Sequence, residues 1–208
     1  DSNGYIYAAT QFDGLAISTD DGENFITKTT ANGLSDDMTE GVSVDSTGII
    51  YVATYNGLSI STNDGDSFSK VRNSGLGGNH IYSVFIDLND VLYAATDGGL
   101  SISTDKGVSF DNKTTSNGLG SNRVSTVYVD SKGVIYAGAN GLSISTDAGN
   151  YFTNKTVDDG LNYNGINSVT KDANGTIYVG TFHGLSTRTG VIFPQSIQDI
   201  FHSQYVSK

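Results

Sequence analysis

Val124-Ser-Thr-Val-Tyr-Val129, Asp130-Ser-Lys-Gly133, Val134-Ile-Tyr-Ala-Gly138, Ala139-Asn-Gly141 and Leu142-Ser-Ile-Ser145 follow one another and decide the fold. The first piece alternates, is rich in β-branched residues and predicts a strand, A. The second is a four-residue turn with glycine at its last position. Val134–Gly138 predicts strand B, Ala139–Gly141 turns the chain back, and Leu142–Ser145 predicts strand C. A second hairpin, Thr146-Asp-Ala-Gly149, leads into strand D at Tyr151-Phe-Thr-Asn-Lys155. A loop of the form Asp-Gly-Leu-x-x-Asn then leads to the next A strand. Four short antiparallel strands in about 42 residues match one blade of a β-propeller.

The unit recurs along the whole chain. Tyrosines of the pattern Ile/Leu-Tyr-x-Ala/Gly-x fall at Tyr7, Tyr51, Tyr93, Tyr136 and Tyr178, spaced by 44, 42, 43 and 42 residues. Each copy continues through Gly-Leu, a short alternating stretch and Ser-Thr-x-x-Gly, with an aromatic residue three positions later. The glycines of that second signal are Gly22, Gly65, Gly107, Gly149 and Gly190. So regular a period predicts stacked units that share one continuous core. The repeats, approximately 1–44, 45–86, 87–129, 130–171 and 172–208, predict an all-β, five-bladed propeller forming a single domain over residues 1–208.

The ends carry their own information. The first copy has B, C and D but no A strand, whereas the A strands elsewhere share a frame: Thr39–Val44, Ile81–Ile86, Val124–Val129 and Ile166–Lys171. Ile197-Gln-Asp-Ile-Phe-His202 fits that frame and is expected to supply the innermost strand of the first blade, closing the ring and removing its open edges. The alternative is an arc of a larger propeller cut at a repeat boundary. The start at Asp1, without Met or a signal sequence, reads as a processed or excised product.

Composition narrows the function. The chain has 208 residues, with 22 acidic against 11 basic side chains and a net charge of −11. Basic residues are not clustered, which argues against nucleic acid. The acidity fits a soluble domain kept monomeric by self-repulsion. With no cysteine there is no disulfide framework, thiolate nucleophile or Cys-ligated zinc. No apolar run approaches the ~20 residues of a membrane span. No cofactor or metal is expected: the three histidines show no paired spacing, and no EF-type calcium loop is present.

Ser18, Asp20, Gly22 and Phe25 form the pattern Ser-x-Asp-x-Gly-x-x-aromatic. It recurs at Ser103, Asp105, Gly107 and at Ser145, Asp147, Gly149; Ser61 and Gly65 enclose Asn63 instead, and Arg188 stands at the Asp position of the last copy. This resembles the Asp-box repeat of sialidases and many other propellers. The stretch Gly-Leu-x-x-Asn through Asp-x-x-Gly-x-Ile-Tyr-x-Ala-Thr is similar to the two-component regulator propeller repeat. The resemblances cover nearly the whole chain, although tyrosine stands where those families usually carry tryptophan and regulator propellers have more blades. The short carboxylate can accept hydrogen bonds from its own hairpin, so these residues are expected to be structural.

The sialidase resemblance implies an arginine cluster and a Tyr–Glu pair, which three arginines and two glutamates cannot assemble here. A glycosidase needs two carboxyls flanking one bond. The pair considered is Asp199 with Glu40, and an enzyme is not expected. Binding is expected where the copies differ, on the rim formed by B–C turns and D–A loops. Its candidates are Phe12, Tyr55, Asn56, Asp97, Arg123, Tyr163, Phe182 and His183. Exchangeable scaffold repeats need no aromatic in a turn. Aromatic faces among Asn, Asp and His grip sugars or extended peptides. The expectation is an extracellular or periplasmic, non-catalytic module for a glycan, with a protein partner or sensory input as the alternative.

Overall fold

The computed structural model describes residues 1, 3–71 and 74–188. They form a β-propeller whose described blades follow the repeats. Blade 1 holds β1 (Ile6–Thr10), β2 (Gly14–Ser18) and β3 (Ile26–Lys28). Blade 2 holds β4 (Thr39–Val44), β5 (Ile50–Thr54), β6 (Gly57–Ser61) and β7 (Ser69–Lys70). Blade 3 holds β8 (Ile81–Ile86), β9 (Leu92–Thr96), β10 (Gly99–Ser103) and β11 (Asp111–Lys113). Blade 4 holds β12 (Thr126–Val129), β13 (Ile135–Gly138), β14 (Leu142–Ser145) and β15 (Thr153–Lys155). Blade 5 holds β16 (Ile166–Lys171), β17 (Ile177–Thr181) and β18 (Gly184–Arg188). Every pairing is antiparallel between consecutive strands, and no A strand precedes β1 among the described residues. The closing segment Ile197–His202, and Asp199 within it, lie outside the described residues.

Strand alternation gives a blade two faces, and between consecutive blades the facing pair packs together. Leu15 and Ile17 of blade 1 pack with Ile50, Val52 and Phe68 of blade 2. Tyr51, Ala53 and Leu58 of blade 2 pack with Ile81, Val84 and Leu92 of blade 3. The same exchange joins Tyr93 and Leu100 to Val127, Ile135 and Phe152, and Tyr136 and Leu142 to Val169 and Ile177. The core therefore lies between blades, in sheet-on-sheet layers.

Strands A and D of blade 4 are each two residues shorter than their sequence suggests, for one reason. Strand D of blade 4 begins at Thr153 because the Phe152 N–H donates to the Asn117 carbonyl of blade 3's exit loop, 2.7 Å away. Phe68 and Phe110 bond to Asn32 and Ser74 in the same manner. Likewise Val124 precedes β12 because its N–H goes to Thr96 of blade 3. These residues clamp neighbouring blades instead of pairing within their own. Three exit loops also contain a short 3-10 turn, with Thr29, Thr114 or Thr156 capping its start and Gly33, Gly118 or Gly160 ending it. Gly118 is obligatory on two grounds: its φ is +90°, and a Cβ there would stand 2.1 Å from the Phe152 carbonyl oxygen.

The repeat tyrosine ties strand B to the preceding turn. Tyr7, Tyr51, Tyr93, Tyr136 and Tyr178 donate to Asp1, Asp45, Asp87, Asp130 and Asp172, each six residues earlier, at 2.9–3.4 Å. The other oxygen of the same carboxylate accepts backbone N–H groups of its turn, such as Ile49 on Asp45 and Val134 on Asp130. A buried phenol thus finds its partner without breaking the core.

Candidate functional site

The B–C turns and D–A loops meet on one rim. The Tyr55 N–H donates to the Met38 carbonyl, that of Asp97 to His80, and that of Phe182 to Gly165, at 3.0, 3.2 and 3.2 Å. Thr54, Thr96 and Thr181 lock their hairpins by donating to Gly57, Gly99 and Gly184. Close approach demands small residues. A Cβ on Gly98 would stand 1.9 Å from the Gly77 carbonyl oxygen, and one on Gly165 would stand 2.5 Å from the Phe182 ring.

Beneath this rim the inner strands carry a bulge at one shared position. Pairing skips Glu40 in blade 2, Tyr82 in blade 3 and Asn167 in blade 5. In blade 4 Ser125 occupies the equivalent place: its N–H donates to Gly138, which Thr126 already faces. A bulge leaves one residue unpaired and redirects its side chain. Of the four residues placed there, one is acidic, one aromatic and two are small polar.

Tyr82 is the centre of an array of tilted rings that spans three blades. Its ring lies 3.9 Å from that of His80, and His80 lies 4.5 Å from Tyr55. The Arg123 guanidinium stands over the Tyr82 ring, 4.8 Å from its centre. Glu40 Oε1 is 3.3 Å from His80 Nε2. The array thus offers three flat rings, one cation and one carboxylate. A second group lies on blade 5, where Tyr163 stacks on His183 at 4.2 Å and meets Phe182 edge-on at 6.4 Å.

Of the residues singled out from sequence, the structure brings Tyr55 together with Arg123 through His80 and Tyr82, and Tyr163 together with Phe182 and His183. Phe12 stands exposed on the blade 1 turn, apart from both groups. Asp97 stands by the Gly77–Gly78 loop. Asn56 lines a separate cleft of about 360 Å³ with Lys70, Val71, Leu76 and Asn79. The sequence reading missed His80 and Tyr82 as members of this array. Tyr82 carried the same copy-to-copy signal as the turns, since Glu40, Ser125 and Asn167 stand at its place in the other A strands.

The Ser-x-Asp-x-Gly hairpins direct their polar groups inward on themselves. The Ser18 hydroxyl donates to Asp20 while accepting from the Gly22 N–H, and Asp20 accepts from the Asn24 N–H. Asn63 makes the same contacts with Ser61 and Ser67. The Ser109 hydroxyl and backbone, with Ser103, hold the Asp105 carboxyl down to about 2. Among the described residues no three His, Asp or Glu side chains gather as a metal site. No helix among them is long and apolar enough to cross a membrane.

Comparison with known proteins agrees with the architecture. The family model of the two component regulator propeller matches residues 160–183, from the end of the third 3-10 turn to the Phe182–His183 turn. No curated protein matches the chain in sequence. Among solved structures, it is similar to the extracellular domain of the hybrid two component system BT3049 from B. thetaiotaomicron, at 24% identity and a TM-score of 0.79. That match covers 90% of this chain and 26% of the other. A GH74 enzyme of Niastella koreensis is 21% identical with a TM-score of 0.61, over 89% of this chain and 28% of that one. YCF48 bound to D1 peptide is 12% identical with a TM-score of 0.64, over 91% and 61% of the two chains. The chain spans about a quarter of the length of the first of these structures.

Proposed function

We propose that this chain is a non-catalytic recognition module, placed outside the cytoplasm, that binds a glycan on the rim of B–C turns and D–A loops. The observation that carries this reading is the array of Tyr55, His80, Tyr82 and Arg123 beside Glu40. Flat rings stack on the apolar faces of sugar rings, while the guanidinium, imidazole and carboxylate supply directional hydrogen bonds to hydroxyls. The Tyr163–His183 stack offers a second platform for an extended ligand. Extracellular placement draws on the likeness to the extracellular domain of BT3049. The acidic bulge residue Glu40 is engaged by His80, and Asp199, the carboxylate paired with it from sequence, lies outside the described residues.

A broad glycan and polysaccharide panel tests this, run with the native chain, with Tyr82→Ala and with Tyr55→Ala/Phe182→Ala. Binding that falls at least tenfold in the variants supports the reading. Undiminished binding in both removes the site. The second reading, a protein-binding or sensory-input domain, draws on the regulator propeller match over residues 160–183. It gains if no glycan binds and the same variants abolish capture of a defined partner peptide.

A further inference from the structure

The inner strands of blades 2 to 5 all start with an equivalent three-residue step, at residues 38–40, 80–82, 123–125 and 165–167. The middle residue is buried in every step, while the outer two are exposed or half-buried. Between blades the steps touch in one pattern: the first residue of a step reaches the last residue of the step before it. His80 Nε2 lies 3.3 Å from Glu40 Oε1, and the Arg123 guanidinium lies 4.8 Å from the centre of the Tyr82 ring. At the next junction blade 5 has Gly165 in the place of His80 and Arg123, and the contact is made from the other side. There the Ser125 hydroxyl donates to the Ile166 carbonyl at 2.6 Å. The space that a side chain on Gly165 would fill belongs to two rings. Phe182 and Tyr163 come within 2.5 and 2.8 Å of where its Cβ would stand. The row of contacts therefore continues from Tyr55 through Tyr82 and Arg123 to the rings on blade 5. Asn167 stands exposed beside those rings, and its carboxamide makes no hydrogen bond among the described residues.

We propose that the Tyr82 array and the Tyr163–His183 stack are one site, which takes a single extended linear glycan lying along this row from blade 2 to blade 5, with Asn167 as a binding residue at its blade 5 end. The inference rests on the glycan reading of the rim and fixes the class of glycan. Packed sheets stand about 10 Å apart, so one sugar cannot reach from Tyr55 to Tyr163, whereas a chain of several sugars can. Rings separated by polar groups match a chain whose apolar ring faces alternate with hydroxyl edges. Bulges next to binding sites re-aim side chains, and Glu40, Tyr82 and Asn167 are all bulge residues. The Asn167 carboxamide carries both donor and acceptor, as a pair of sugar hydroxyls requires.

Calorimetric titration with size ladders of linear glucans, mannans, xylans and polygalacturonate, from the monosaccharide upward, tests the proposal. Affinity for the rungs of one ladder is expected to rise about tenfold or more beyond the disaccharide, and the longest rung to saturate at one oligosaccharide per chain. On that rung Tyr82→Ala and Tyr163→Ala are each expected to weaken binding, and Asn167→Ala to weaken it roughly tenfold. Circular dichroism checks that the variants fold, and His183→Ala serves as a second blade 5 variant if Tyr163→Ala disturbs its loop. Two oligosaccharides bound per chain overturn the single site. So does an affinity that stays flat beyond the disaccharide, or a longest rung indifferent to Asn167→Ala and to the blade 5 ring variants. Each of these results leaves the glycan reading standing. Binding by no rung of any ladder overturns both.

Discussion

Arg123 holds its guanidinium carbon 4.8 Å from the centre of the Tyr82 ring, joining the loop that enters blade 4 to the bulge of blade 3. The two residues are one repeat apart in sequence, so only the side-by-side packing of blades brings them together. Arg123 also keeps its backbone in place through its own N–H, which donates to the Ser121 hydroxyl at 3.1 Å. The cation therefore stands above an aromatic plane, open to solvent.

Removing that cation separates binding from stability. An exposed cation–π contact is worth roughly 0.5–1 kcal/mol, so Arg123→Ala should shift the unfolding midpoint only slightly. Ligand affinity should fall about tenfold, equivalent to roughly 1.4 kcal/mol. Arg123→Lys should recover little of it, because a lysine lacks the planar fork that stacks. Calorimetric titration alongside thermal melts checks both halves.

The rim is held by backbone contact, so Gly98→Ala should disturb it from outside the array. The new methyl would meet the Gly77 carbonyl oxygen at 1.9 Å, and the loop carrying His80 must move. Overpacking of this kind costs about 1–3 kcal/mol. Denaturant unfolding should register that loss, and titration should show weaker ligand binding although no binding side chain has changed.

Equivalent phenylalanines should not be equivalent in energy. Phe152 is 1% exposed between blades 3 and 4, while Phe25 is 47% exposed. Phe152→Ala should cost about 3–5 kcal/mol. Phe25→Ala should cost under about 1 kcal/mol in dilute solution. Urea midpoints for the two variants measure the difference directly.

Stability should be flat in the middle of the pH range and fall at both ends. The Ser109 hydroxyl, foremost among its hydrogen bonds, lowers Asp105 to about 2. Burial pushes Asp130 up, but hydrogen bonds from Lys171 and from the Val134 and Lys132 N–H groups leave it lowered. Both carboxyls protonate in the unfolded chain near pH 4. Their contribution is complete above that value and is lost as the pH falls through their lower folded values. Tyr51 and Tyr93 are raised, first by burial and then by the carboxylates of Asp45 and Asp87. Their contribution is complete below about pH 10 and is lost as the pH rises through their higher folded values. Melting temperatures followed by circular dichroism should show the plateau between these limits.

Much of the architecture was legible because it is local. Alternation, turn glycines and the five-fold tyrosine marked the blades, and strands Thr39–Val44, Ile81–Ile86 and Ile166–Lys171 lie where the shared frame put them. Period-two patterning and positive φ act within a few residues, so one chain suffices to read them. The array was less legible. His80 stands 40 positions from Glu40, its partner, and Tyr82 turns toward Arg123 because a bulge breaks the alternation at that residue. The repeat itself determined that blades would form and which faces each would bury. Which side chains gather on the rim was decided only when neighbouring blades packed. Those contacts join residues about one period apart, and a period constrains the backbone they share while leaving free the side chains in which the copies differ.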